Sequence, residues 1–171
     1  NVCWGMSNRS VLVRVPLGWT SGEDMCHKAN NVEPLTARDY SIKQTVEMRS
    51  PDASADIYQL LAGLCVACRH GFEMQNAEAE AERTFADGDI HDPKNAERYA
   101  TLAQLPDSCA ASADCLERQR KIYEEYDVFS PAMIDGIIKQ LRSYNDRTLR
   151  QELKGNEAMM EKLVRQYFHC G

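Results

Sequence analysis

No stretch of this 171-residue chain approaches the roughly 18 consecutive apolar residues that would suggest a membrane-spanning helix. The longest apolar stretch, Leu60 to Cys68, belongs instead to an amphipathic pattern. No segment gathers Lys and Arg as a nucleic-acid surface would, and acidic residues outnumber basic ones by 26 to 20, for a net charge of −6. Neither nucleic acid nor membrane is therefore an expected partner. There is no glycine-rich phosphate loop and no Gly-x-Ser-x-Gly turn, and His27, His70, His91 and His169 lie too far apart to pair. These absences exclude a self-contained nucleotide-binding loop, a hydrolase nucleophile and a histidine metal pair. The opening residues, Asn1-Val2-Cys3-Trp4, lack the basic and apolar regions of a signal peptide. They lack an initiating Met as well, and the sequence reads at once as strand and turn, which predicts a piece of a longer protein.

What is present is ordinary globular material, 43% hydrophobic and 27% charged. The length suits one domain with a real core. Seven cysteines (Cys3, Cys26, Cys65, Cys68, Cys109, Cys115, Cys170) form an odd set without framework spacing. They predict reduced thiols and a cytoplasmic protein. Cys65-x-x-Cys68, with His70 close behind, has the look of a metal or redox motif. Yet Ile57, Leu60, Leu61, Leu64, Cys65, Cys68 and Phe72 follow helical spacing, which assigns both thiols to an apolar face packed into the core.

Two strands are expected first, at about residues 10–15 and 44–49. Val11, Val13 and Val15 alternate with Ser10, Leu12 and Arg14; Thr45, Glu47 and Arg49 alternate with Val46 and Met48. Between them, Trp19 to Ile42 shows no clear period and reads as a long loop or short hairpin. From Pro51 the pattern is helical, about residues 52–170. Asp52 or Ser54 caps a helix reaching Met74, and the acidic, Ala-rich stretch Ala77–Phe85 either continues it or forms a separate surface helix. Another begins at Pro93 and runs to about Ala103, and a further one ends near Tyr126. Ser130 with Pro131 gives the sharpest start, with Phe129 stapled onto Ile134. Asp146 is expected to cap a last helix that turns Leu149, Leu153, Met160, Leu163, Val164 and Tyr167 inward. The fold class is thus α+β, mainly α-helical, with a small antiparallel strand remnant.

Four residues are candidates for chemistry. Glu47 and Arg49, two apart on a strand, share a face about 7 Å apart. A carboxylate there can ligate a hard cation, and the guanidinium can hold a carboxylate or phosphate. The same spacing also builds a surface salt bridge. Arg14, inside a valine-rich strand, must reach solvent, a carboxylate or an anion. Arg9 just precedes that strand, and two arginines near one sheet suit a polyphosphate as well as a structural role.

At these same residues the sequence resembles glutamine synthetase. Asn8-Arg9-Ser10-Val11-Leu12-Val13-Arg14-Val15-Pro16 is similar to that family's Asn-Arg-Ser/Thr-x-x-x-Arg-Ile/Val-Pro strand. Thr45 to Ala55 is similar to its Glu-x-Arg-x-x-Asp-x-x-Ala segment leading into a long helix. Leu105-Pro106-Asp107-Ser108 and Val128-Phe129-Ser130 with Ile134-Asp135 fit its closing helices. The resemblance implies the C-terminal part of a catalytic domain that joins ammonia to L-glutamate with ATP and Mg²⁺ or Mn²⁺. By motif position, Arg9 and Arg14 would contact ATP phosphates, Glu47 would be a metal ligand and Arg49 would bind glutamate. The family's other metal ligands and its flap glutamate lie upstream of this stretch, so the chain alone is expected to be inactive. The parent is expected to be a homo-dodecamer. A γ-glutamyl-amine or polyamine ligase of the same family, and a non-catalytic helical assembly module, are the competing readings.

Overall fold

A computed structural model describes residues 1–16, 24–35, 45–52 and 54–169. Most of the irregular stretch between the two sequence motifs, and the expected strand start at Gln44, lie outside the described residues. The chain divides into two units: Asn1–Ser50 with Glu78–Gln104, and Pro51–Ala77 with Leu105–Gly171.

The first unit is organised around three very short strands, β1 (Trp4–Met6), β2 (Val13–Val15) and β3 (Glu47–Met48), in the order β1-β2-β3. β2 and β3 pair antiparallel, as expected, with Val13 opposite Met48 and Arg14 opposite Glu47. β1, which the alternation pattern did not reveal, runs parallel to β2, so the sheet is mixed and not purely antiparallel. Parallel neighbours ordinarily need a crossover of about a dozen residues. Here the return is made within the segment from Ser7 to Leu12, with Ser7 at a left-handed φ of 52°. Asn8 makes that tight return possible. Its Oδ1 accepts from the Ser10 amide at 2.9 Å and the Ser10 hydroxyl at 2.8 Å. Its Nδ2 donates to the carbonyls of Ala86 at 3.0 Å and Gly88 at 2.8 Å.

Beneath the sheet lie Cys3, Val11, Ala86, Tyr99 and Leu102, with Ile90 packed against them. The Trp4 carbonyl accepts from the Ala86 amide at 2.8 Å, and the Trp4 indole donates to the Ala81 carbonyl at 2.7 Å. At Gly5 a side chain is forbidden, since a Cβ there would collide with the Ala86 carbonyl. Two short helices complete this unit. α1 (Met25–Ala29) is capped by Asp24, and α3, counted in chain order after α2 (Ile57–Glu73), spans Ala77–Thr84. The helix expected from Pro93 shrinks to a 3₁₀ turn, Pro93–Asn95, followed by irregular turns.

The second unit is helical: α2, α4 (Cys109–Glu124), α5 (Pro131–Ser143), α6 (Leu149–Leu153) and α7 (Glu157–Tyr167). Ser130 caps α5 as expected and Ser108 caps α4, their hydroxyls accepting from Met133 at 3.3 Å and Ala111 at 3.1 Å. Phe129 and Ile134 are both buried, in one cluster with Val66, Ala113 and Ile138. Ion pairs knit α4 to α5: Arg142 reaches Asp114 at 2.8 Å and Glu117 at 2.6 Å. Between the two helices, Tyr126 and Asp127 both take left-handed φ values, 60° and 56°. Arg69 of α2 braces this turn, donating to the Ile122 carbonyl at 2.9 Å and lying 4.5 Å from the Tyr126 ring centre.

Other expectations fail here for identifiable reasons. α2 buries Val66 and, in part, Ala62, while Ile57, Leu61, Cys65, Cys68 and Phe72 are exposed. The helix is apolar nearly all round, so periodicity could not fix which side packs. The small residues Ala62 and Val66 pack in the cluster that contains Ala113, where small side chains allow close packing. The N-cap of α2 is Asp56, with Asp52 instead closing a local turn onto Ser54. Finally, Asp146 accepts from the Cys109 amide at 2.6 Å and the Ala110 amide at 3.0 Å, so it caps α4, not the last helix. That last helix is really two, broken at Gly155 (φ 76°) and restarted by Asn156. Met160, Val164 and Tyr167 of α7 are exposed, not inward.

Candidate active site

Cross-strand register puts Arg14 directly opposite Glu47, and directly opposed residues project from the same face of a sheet. Their side chains form an ion pair through Arg14 Nη2 and Glu47 Oε2. The other carboxylate oxygen, Oε1, lies 3.6 Å from Arg49 Nε. Backbone pairing continues past β3, the Arg49 amide donating to the Leu12 carbonyl at 3.0 Å. That extension carries the Arg49 side chain toward the segment before β2. There Nη1 donates to the Arg9 carbonyl and, at 3.4 Å, to the Val11 carbonyl.

Arg14, Glu47 and Arg49 are therefore one contiguous group, with side chains 21%, 40% and 33% exposed. Two guanidinium groups share one carboxylate, which leaves the cluster a net positive charge. Arg14 Nε is buried and has no hydrogen-bond partner among the described residues. A buried, unpaired N–H of a charged group is costly, and an anion's oxygen would relieve it. The arrangement can thus hold an anion beside a carboxylate, each placed by backbone pairing.

The fourth candidate, Arg9, is exposed, and it joins the group through its carbonyl. Two residues of the same motif do positioning work that the sequence reading left unassigned. Asn8 ties the loop to Ala86 and Gly88, and the Ser10 hydroxyl accepts from the Ile90 amide at 3.1 Å. An Asn followed two residues later by Ser is a familiar signal for a side-chain-closed turn, and it was legible. Among the described residues, no three His, Cys, Asp or Glu side chains gather as a metal cluster.

A family model described as glutamine synthetase, catalytic domain, matches residues 1–160. The chain belongs to that family. Both segments that carry the arginines and Glu47 fall inside the glutamine synthetase match. A curated relative named glutamine synthetase, from Streptomyces coelicolor (strain ATCC BAA-471 / A3(2) / M145), is 28% identical over 135 residues. That alignment covers 79% of this chain and 24% of the relative, so the chain spans about a quarter of a glutamine synthetase of that length. No solved structure matches the chain. No helix of the described residues is long and apolar enough to cross a membrane.

Proposed function

We propose that this chain supplies the phosphate- and glutamate-binding part of a glutamine synthetase active site, in which ATP phosphorylates the L-glutamate side chain and ammonia displaces the phosphate. The observation that carries the reading is the Arg14–Glu47–Arg49 cluster, with its surplus positive charge and its buried, unpartnered Arg14 Nε. Arg14 holds the phosphates, and Arg9, exposed at the start of the same segment, is the second phosphate contact that the motif implies. Arg49, steadied by the Arg9 and Val11 carbonyls, holds the substrate carboxylate. Fixed guanidinium groups of this kind stabilise charge that builds up during phosphoryl transfer without having to reorganise.

Glu47 is the cation ligand in this scheme. A hard divalent ion takes about six oxygen ligands, so one carboxylate fits as a member of the set and not as the set itself. The remaining ligands come from outside the described residues. Bound there, Mg²⁺ or Mn²⁺ would neutralise phosphate charge. The chain by itself turns over no ATP, because its single carboxylate cannot retain the cation. Glutamine formation by the purified chain would contradict this. The parent assembles as a homo-dodecamer in the cytoplasm; the family resemblance and the unpaired thiols of the six described cysteines support that reading.

The test is Glu47→Ala in the enzyme assembled with the rest of its catalytic unit. A loss of about 100-fold or more in γ-glutamyl transfer is expected, the scale of removing a transition-state charge partner. Near-normal activity would end the assignment. Parallel assays with ammonia and with polyamines decide the acceptor. Failure of the assembled protein to bind ATP with Mg²⁺ would favour a helical assembly role without chemistry.

A further inference from the structure

The motif Cys65-x-x-Cys68 takes no part in the proposed reaction, and the structure turns it outward. Both thiols are free and exposed on α2, away from the buried Val66. Residues three apart on a helix lie on one face, with Cα atoms about 5 Å apart and Cβ atoms about 5–6 Å apart. A disulfide needs Cβ atoms within about 3.5–4.5 Å, so closing one here would distort the helix. A shared metal ion is the better fit. Two metal–sulfur bonds of about 2.3 Å let the sulfurs stand up to about 4.6 Å apart, against about 2.05 Å in a disulfide.

We infer that Cys65 and Cys68 form a two-thiolate site for a single soft, thiophilic cation of the copper(I) class. Zinc would seek four ligands. Among the described residues no third His, Cys, Asp or Glu joins a cluster here. His70, two positions beyond Cys68, falls on the other side of the helix. Low coordination by thiolates alone favours copper(I). Leu61 lies four residues before Cys65 and Phe72 four after Cys68, and both are exposed, at 57% and 91%. They flank the pair with apolar surface at each end. Binding releases two protons, one from each thiol, and leaves the ion's oxidation state unchanged.

The experiment is an anaerobic titration of the reduced 171-residue chain with copper(I), in competition with bicinchoninate. One equivalent should be retained per chain. Cys65→Ser and Cys68→Ser should each weaken it by about tenfold or more, since each removes the second, intramolecular ligand. A Cys68→Ala, Ala67→Cys double variant keeps two thiols but moves one off the face, and it should lose the affinity equally. Cys26→Ser should change nothing. All four positions are exposed, and unchanged circular dichroism will verify the fold. Equal copper affinity in the parent and in the double variant would overturn the site. So would rapid closure of an intrahelical disulfide with glutathione disulfide, because the spacing would then suit a direct bond.

Discussion

The two units reach order by opposite routes. In the sheet-bearing unit, strands of two or three residues are held by contacts from far along the chain: Asn8 to Ala86 and Gly88, Trp4 to Ala81 and Ala86, Ser10 to Ile90. In the helical unit, local signals do most of the work, with side-chain caps at Asp56, Ser108, Ser130 and Asn156. The charged candidate site sits in the first kind of structure. Its arginines and carboxylate are placed by backbone register, which leaves the side chains free to differ in what they bind. The lesson is that the chemistry rests on the part of the molecule with the least local propensity to fold.

The contrast can be broken from either side. The largest effect is expected at Ile134, which is 1% exposed in the helical core. Ile134→Ala should destabilise that unit by about 2–5 kcal/mol, measured by urea unfolding, because it removes buried methyl groups and leaves a cavity. Gly5→Ala comes next. Its new Cβ meets the Ala86 carbonyl, a backbone atom with little room to retreat. A loss of about 1–3 kcal/mol is expected, together with faster amide exchange at Ala86 as the Trp4 carbonyl is pushed away. If the two units are as differently built as described, Gly5→Ala will leave exchange in α4 and α5 untouched.

Asp146→Ala should cost about 1–2 kcal/mol, the value of a helix N-cap. Its pH dependence sharpens the assignment. Burial raises the Asp146 pKa, but the Cys109 and Ala110 amides and the Cys109 thiol outweigh it, and the net shift is downward. A carboxyl whose folded value lies below its unfolded one adds stability that is complete above the ordinary Asp value of about 4. That stability disappears as pH falls through the depressed folded value. The parent should therefore lose stability more steeply on acidification than Asp146→Ala does. The smallest effect is expected for Tyr99→Phe, about 1 kcal/mol. It removes a hydroxyl that accepts from the Gly88 amide and donates to Asp87, each at 3.0 Å. Thermal melts of the two proteins side by side would measure it.

Legibility in the sequence followed the same divide. Ser130-Pro131 and Ser108 announced their helices because a cap is a local event, written in two or three adjacent residues. That Glu47 and Arg49 share a face was legible because alternation fixes the face of a strand; that Arg14 stands opposite Glu47 is set by cross-strand register, which no local pattern records. β1 was not legible, since Trp4-Gly5-Met6 is too short to show a period and depends on its pairing with β2 and on the Ala86 amide. The packed side of α2 was misjudged because hydrophobicity marks what can be buried, whereas shape decides what is. Ala62 and Val66 win by being small. Gly155-Asn156 did carry a stop and a start, which the longer run of apolar spacing concealed.

The carboxylate of Asp146 reaches back 37 residues to the first amide of α4. That helix can be wound from its own sequence and capped by Ser108, yet its first two amides lack their partner until α5 has doubled back and brought the carboxylate home. Opening of the α4 start and undocking of the α5 end should thus be a single event. In a hydrogen-exchange experiment the amides of Cys109 and Ala110 would report on a turn that lies at the far end of the hairpin's sequence.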